Sequence, residues 1–243
     1  MQIQASSLLW RSLKSIAIAV ALVGSAHAQI TLNSIDRGRY SEYGTHIFGD
    51  YDSYLTGQVA TVEFRSFTVF DTSAVTNPVT AAQLRLFLPQ GSFFSFSSTE
   101  TLKIFDVSTS VSSLTAPQFS AVSIFNDLGS GTQFGSATLR ESNEGSFIEV
   151  ALNNSFLNYI NTSAPDIFAL GGALSSISGI FDQYAYFGSG SGNPADGRTQ
   201  LVLWTNPAQG TTPVPEPSTY GLIGAGVLLA AVAVRRRLAA RKA

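Results

Sequence analysis

The chain has 243 residues, of which 44% are hydrophobic and 12% charged, and it contains no cysteine. This composition excludes a disordered chain, a disulfide framework, a thiolate metal site and a cysteine nucleophile. Between Gln29 and Val234 only seven basic residues stand against all 16 acidic ones. No basic face is therefore available for binding nucleic acid.

Residues 1–28 have the pattern of a secretory signal peptide. Arg11 and Lys14 supply a positive segment, which an uninterrupted apolar stretch follows. Ala26 and Ala28 are the small residues that flank a cleavage site. A buried N-terminal helix is the alternative, but no polar stripe or capping residue shapes this segment. We expect cleavage after Ala28 and export of the chain that follows.

The first part of the mature chain is rich in tyrosine. Tyr40, Tyr43, Tyr51 and Tyr54 alternate with arginine and aspartate over a glycine-containing stretch. Flat rings with polar neighbours hold sugars by stacking on C–H groups while polar groups bond to hydroxyls. These four tyrosines are therefore candidate carbohydrate-binding residues. The alternative is ordinary packing of the rings at a sheet edge.

Short apolar runs separated by Gly, Pro, Asn and Ser predict β-strands through a domain at residues 29–209. Strict alternation predicts half-buried strands at 83–88 and 147–152. Two alternating runs change phase between Phe64 and Phe67, which predicts a β-bulge. Further strands are expected at 102–107, 133–139, 167–170, 184–187 and 200–204. About eight strands at this spacing favour an all-β fold, a β-sandwich of jelly-roll type.

One short helix is predicted within this domain. Asn153 offers an N-cap side chain for it. Phe156, Leu157 and Ile160 then fall on one side of two helical turns. Such a helix would end near Asn161 and cover the open end of the sandwich.

Three phenylalanines, Phe93, Phe94 and Phe96, lie close together among serines. They predict either a hairpin tip or a plug buried in a loop. Exposed together, they would form an adhesive apolar patch.

Few residues are candidates for catalysis. After signal cleavage the only histidine is His46, and no Gly-x-Ser-x-Gly motif accompanies it. We expect His46 to be an exposed loop residue. The chain has enough acidic residues to supply the two carboxylates of a glycoside hydrolase, but nothing in the sequence sets the distance between any two of them. The chain is therefore expected not to be an enzyme.

Calcium is the metal that fits the sequence best, because hard oxygen ligands are what it offers. Asp50 and Asp52 lie together in one loop, and Asp196 lies in a second. Neither loop matches the EF-hand pattern, and plain turns are the alternative. No other cofactor is expected.

The C-terminal segment has three parts. A Pro-rich linker at 210–219 contains the tripeptide Pro215, Glu216 and Pro217. Residues 220–234 carry no charge and predict a single transmembrane helix, which is short for a bilayer. The tail at 235–243 begins with three arginines, Arg235, Arg236 and Arg237. Because basic residues stay on the cytoplasmic side, the domain is expected outside the cytoplasm.

This order of tripeptide, apolar helix and arginine cluster resembles the PEP-CTERM sorting signal of Gram-negative bacteria. The resemblance implies an exosortase-type membrane protease as a partner, cutting near the tripeptide. The protein would then be exported across the inner membrane, anchored there transiently, and moved to the cell surface or the extracellular space. An ordinary tail anchor is the alternative.

The domain is also similar to known proteins. Its segments 63–71, 82–87 and 101–107 resemble the opening strands of uncharacterised PEP-CTERM surface proteins, which are similar to disaggregatase-related β-sandwich domains. Some of those domains bind polysaccharide, so the resemblance implies a matrix protein associated with exopolysaccharide. The alternatives are a carbohydrate-binding module with a site in the tyrosine-rich loops and a polysaccharide-active enzyme.

Overall fold

The computed structural model describes residues 28–47, 54–178, 181–188 and 195–206. The chain divides into two compact units after Asn206, and every described residue belongs to the first unit. Nearly all of the predicted signal peptide, including Ala26, lies outside the described residues, as do the linker, the transmembrane segment and the basic tail. None of the helices among the described residues has the length and the apolar composition of a membrane span.

Four antiparallel strands form the first sheet, in the order β1–β13–β6–β10. They are β1 (Ala28–Asn33), β6 (Val79–Leu88), β10 (Ser146–Leu152) and β13 (Thr199–Thr205). The apolar residues of β6 and β10 are buried in alternation, as predicted.

Nine strands form the second sheet. They are β2 (Asp36–Ser41), β3 (His46–Ile47), β4 (Tyr54–Val59), β5 (Val62–Asp71), β7 (Phe93–Phe94), β8 (Thr99–Asp106), β9 (Gln133–Arg140), β11 (Ile167–Leu174) and β12 (Gln183–Phe187). The main path is β7–β12–β4–β5–β11–β8–β9. β2 pairs with β5 and with β3.

Eight of these strands have the order of a jelly roll. In chain order they are β1, β5, β6, β8, β9, β10, β11 and β13. The first lies beside the eighth, the second beside the seventh, the third beside the sixth and the fourth beside the fifth. This nesting of outer pairs around inner pairs, split between two facing sheets, is the jelly-roll arrangement. The predicted all-β sandwich is confirmed.

The main hydrophobic core lies between the two sheets. Leu84 and Leu86 of β6 meet Leu102 and Ile104 of β8 in this core. A second core lies on the opposite face of the second sheet, under the helices α1 (Val111–Thr115) and α2 (Val122–Asp127). The sequence pattern predicts neither helix.

β5 passes between these two cores. Its pairing with β2 and β11 shows no register shift over the described residues, so the predicted β-bulge is wrong. Phe67 packs into the second core and Phe70 into the main core. The alternation of apolar residues in the sequence changes phase after Phe64 because both faces of the strand are buried.

The predicted helix is confirmed as α3 (Asn154–Thr162). The Asn153 side chain accepts hydrogen bonds from the backbone N–H groups of Ser155 and Phe156, at 2.9 and 3.2 Å. Phe156 is fully buried in the main core. The Asn161 side chain bonds to the backbone of Val79, which fastens the helix across one end of the sandwich.

Candidate functional site

A line of aromatic side chains, which we name the aromatic ridge, runs along the edge of the second sheet. It consists of Phe181, Phe96, Phe94, Tyr184 and Tyr186. Successive ring centroids along it lie 5.0, 5.4, 5.9 and 5.8 Å apart. The three phenylalanines are among the most exposed large apolar residues, with Phe96 67% and Phe181 57% exposed. The ridge therefore offers a continuous aromatic surface to a ligand.

Strand register places the tyrosines of the ridge. Tyr184 lies opposite Phe94 in the pairing of β12 with β7. Because side chains alternate along a strand, Tyr184 and Tyr186 share one face. Ala185 and Phe187 point the other way and are fully buried in the main core.

A buried carboxylate connects the three segments that carry the ridge. Glu100 on β8 is 1% exposed and accepts hydrogen bonds from Ser95, Ser176 and Gln183. Ser95 lies between two ridge phenylalanines, Ser176 precedes the loop that holds the third, and Gln183 adjoins the first ridge tyrosine. All three partners are neutral. Glu100 is therefore a positioning residue for the ridge.

The loop that carries Phe96 has a constrained backbone. Ser98 has a φ of 59°, a left-handed conformation that few non-glycine residues adopt. The Ser95 hydroxyl also accepts a hydrogen bond from the Ser97 N–H at 2.9 Å. Such strain persists only where the surroundings fix the conformation. Beside the loop lies a groove of about 280 Å³, lined by Phe93, Phe94, Ser95, Ser98 and Glu141.

The ridge lies at the end of the sandwich opposite to the domain's termini. At one end of β6, Val79 pairs with Thr205 of β13, and Thr205 also pairs with Ala28. The loop that carries Phe94 and Phe96 leaves β6 at its other end, after Leu88. Ten strand residues span about 33 Å. The ridge is thus far from the point where the chain continues toward its C-terminal segment.

The four predicted tyrosines do not form a shared site. Tyr40 and Tyr54 are 0% and 1% exposed and belong to different cores. The Tyr40 hydroxyl donates to the Leu114 carbonyl at 2.8 Å, and burial raises the pKa of Tyr40 to about 12. Burial likewise raises the pKa of Tyr54. The prediction is corrected for these two residues, because their rings are closed to a sugar.

Of the other two predicted tyrosines, Tyr43 lies within the described residues. Tyr43 is 63% exposed. Tyr51 lies outside the described residues. A sugar-binding role for these two stays a prediction.

Of the three predicted calcium ligands, Asp196 lies in the described part of the chain. Asp196 accepts a hydrogen bond from the Arg37 guanidinium at 3.3 Å, and the Arg37 side chain is 1% exposed. This ion pair engages the Asp196 carboxylate, and the role of Asp196 as a metal ligand stays a prediction. Asp50 and Asp52 lie outside the described residues. Among the residues described, no group of three or more His, Cys, Asp or Glu side chains could hold a metal ion.

His46 is a buried strand residue, so the expectation of an exposed loop histidine is wrong. It is 6% exposed and pairs with Tyr40 across β3 and β2. The two rings stack at 4.8 Å with an interplanar angle of 8°. Its Nδ1 atom lies 2.9 Å from the Ala116 carbonyl oxygen. These contacts explain His46 as part of the packing around the second core.

The sequence predicts that Phe94 and Phe96, if exposed, form an apolar patch, but it does not predict the rest of the site. Alternation within the predicted strand 184–187 is a signal that could have placed Tyr184 and Tyr186 on one face. Glu100 gives no local signal, because two of its partners lie 76 and 83 residues away.

Residues 213–237 match the family model of the PEP-CTERM protein-sorting motif. The match includes the Pro-Glu-Pro tripeptide and the three arginines, so the predicted sorting signal is confirmed, and the region fits a terminal transmembrane helix. The match does not extend into the β-sandwich. The resemblance of that domain to disaggregatase-related domains therefore stays a prediction. No curated protein matches the chain.

Proposed function

We propose that this chain is a non-catalytic bacterial surface protein that exosortase sorts and that binds exopolysaccharide through its aromatic ridge. The sorting motif supports export, a transient membrane anchor and processing by exosortase, a membrane protein. Placement at the surface of a Gram-negative cell, or in its extracellular matrix, belongs to the proposal.

The observation that carries the binding role is the ridge itself. Isolated exposed apolar residues are common, but a connected set rimmed by polar groups is typical of an interaction site. A line of rings suits a chain-like ligand better than a single ring would, since successive rings can stack on successive sugars.

The net charge of the domain indicates which class of polysaccharide it can bind. Arg37, Arg65, Arg85 and Arg198 are each paired with a carboxylate inside the domain. All but one of the 16 acidic residues precede the linker. The surface field is therefore negative and would repel a polyanion. We propose a neutral or amine-bearing polysaccharide as the ligand.

The position of Glu100 supports a non-catalytic role. Its carboxylate is buried beneath the ridge, and three side chains already bond to it there. A glycosidic oxygen stacked on the ridge could not reach it, whereas a general acid must contact the atom that it protonates.

Retention on an insoluble neutral glucan tests the ridge. We expect the double substitution Phe96→Ala and Phe181→Ala to weaken retention about thirtyfold, since each of the two stacked rings contributes about 1 kcal/mol. Phe119→Ala is the matched control, because Phe119 is 70% exposed and is no part of the ridge. Equal retention of the double variant and the parent protein, or equal losses in both variants, would contradict the proposal.

Intact mass and cell fractionation test the sorting. In a host with exosortase, we expect a product that lacks the segment after about residue 215 and is found outside the inner membrane. Without exosortase, the full-length chain should stay in the membrane. A full-length C-terminus in both hosts would leave a tail-anchored domain and would remove the matrix role.

A further inference from the structure

Ser95, Glu100 and Gln183 form a cluster in which a hydroxyl and a carboxamide contact the same carboxylate oxygen. The Ser95 Oγ atom lies 2.5 Å and the Gln183 Nε2 atom 2.9 Å from Oε1 of Glu100. The Ser95 Oγ and Gln183 Nε2 atoms can therefore be no more than about 5.4 Å apart. The Gln183 Oε1 atom accepts a hydrogen bond from the Ser178 N–H at 2.8 Å. A nucleophile, a base, an acyl group and a donor to the acyl oxygen thus lie together.

We propose that Ser95 and Gln183 join in an intramolecular ester bond after the domain folds. The Ser95 Oγ atom attacks the Gln183 side-chain carbonyl carbon, and Glu100 accepts the hydroxyl proton. The carbon–nitrogen bond then breaks, and Glu100 returns that proton to the departing nitrogen. One alcohol and one primary amide become one ester and one ammonia, so the step needs no oxidant, reductant or cofactor.

The surroundings meet the known requirements for such a reaction. Glu100 lies within hydrogen-bond distance of both the proton it would accept and the nitrogen it would protonate. The Ser178 N–H points at the oxygen that becomes negative in the tetrahedral intermediate. Folding holds the two reacting groups together, which replaces a bimolecular encounter by an intramolecular one.

Burial would protect the product. Glu100 and Gln183 are 1% and 2% exposed, so water that could hydrolyse the ester is excluded from one side. Ser95 is half-buried and lines the groove beside the ridge. That groove gives ammonia a path to solvent.

Ser95 is favoured over Ser176 as the nucleophile. Ser176 donates to the other carboxylate oxygen, Oε2 of Glu100, and its hydroxyl also accepts the Thr101 N–H at 2.9 Å. An ester at Ser95 would link the loop that carries Phe94 and Phe96 to the strand that carries both ridge tyrosines. A chain without cysteine would thereby gain a covalent link between segments 88 residues apart in sequence.

Tryptic peptide mapping of the folded full-length chain tests this proposal. Cleavage after basic residues places Ser95 in fragment 86–103 and Gln183 in fragment 141–198. We expect the two fragments to be recovered as one species whose mass is their sum less one ammonia. Alkaline hydroxylamine, which cleaves esters, should separate them.

Variants assign the roles. Ser95→Ala and Glu100→Gln should both yield separate fragments at their sequence masses, whereas Ser176→Ala should retain the linked species. The proposal is overturned if the parent protein gives two separate fragments without loss of ammonia. It is also overturned if the loss is confined to fragment 141–198, which would indicate Ser176, or to a fragment that begins at Gln29, which would indicate cyclisation of an N-terminal glutamine.

Discussion

The two ends of the sandwich are closed in opposite ways. At the end where the domain's termini lie, α3 inserts Phe156 into the main core, where its ring lies 5.3 Å from that of Phe134. At the other end, the aromatic rings face outward, and a polar cluster around Glu100 lies beneath them. Both solutions exclude water from the core, but only the second leaves aromatic rings available to a partner.

This difference separates stability from binding. Burial of an aromatic side chain stabilises the fold, while an exposed one contributes little to it. Exposed rings are therefore not fixed by packing and need other contacts to hold them in position. At the ridge, hydrogen bonds to the buried Glu100 carboxylate hold them, because each bond comes from a different one of the segments that carry the rings.

The largest expected effect is on the apolar end. Phe156→Ala should lower the free energy of unfolding by about 4 kcal/mol, because it leaves a cavity where a fully buried ring was. Guanidinium denaturation followed by tryptophan fluorescence would measure it. Phe119→Ala, at a 70% exposed position, should change stability by less than about 0.5 kcal/mol. A loss below about 1 kcal/mol for Phe156→Ala would show that α3 does not close the core.

The second largest loss of stability is expected at the end of the sandwich that carries the ridge. Glu100→Ala should cost about 3 kcal/mol, since it leaves the donors of Ser95, Ser176 and Gln183 unpaired in a buried place. Glu100→Gln keeps one acceptor and should cost less. The same denaturation experiment measures both. Equal stability of Glu100→Ala and the parent protein would mean that this carboxylate does not organise the ridge.

A smaller effect is expected at the start of α3. Asn153→Ala should cost about 1 kcal/mol, because the N-cap bonds to two backbone N–H groups are lost. Asn154→Ala is the control, since Asn154 is exposed and lies inside the helix. If both variants lose the same stability, the cap is not what fixes the helix end.

The smallest expected effect on stability appears only at alkaline pH. Burial raises the pKa of Tyr159 in α3 above its usual value of 10.0, and the charge of Asp106 raises it further. Because the raised pKa belongs to the folded state, this stabilisation is complete below pH 10 and is lost as the pH rises through the folded value. Tyr159→Phe should therefore lose less stability between neutral and alkaline pH than the parent protein. Melting temperatures across that range would show it, and parallel curves would contradict it.

The sequence predicts the elements whose apolar residues face one core. Residues 83–88, 147–152 and the helix at Asn153 belong to this class, because a single buried face leaves a clear period. The sequence does not predict β2 and β4. Both strands are almost wholly buried, so they show no alternation of apolar and polar residues, and their arginines and glycines do not indicate burial. Two-sided burial also explains the false bulge in β5.

The site is less predictable than the fold. Phe94 and Phe96 lie two positions apart in sequence. The two tyrosines join them through the pairing of β7 with β12, and Phe181 joins them through its contact with Phe96. Tyr40 and Tyr54 share composition with a sugar-binding surface, yet each is drawn into a core by its strand. Exposure depends on the completed fold, and no local pattern of residue types encodes it.

The place of β13 has a consequence for the order of events during secretion. β13 separates β1 from β6, although β1 begins the domain and β13 ends it. A chain that crosses a membrane N-terminus first must keep β1 unpaired until residue 205 has followed, and such long-range pairing is slow. The sorting motif begins at residue 213, only a few residues later. Completion of the sheet and arrival at the membrane protease therefore compete in time, and a slowly folding chain would meet the protease with its sheet still open.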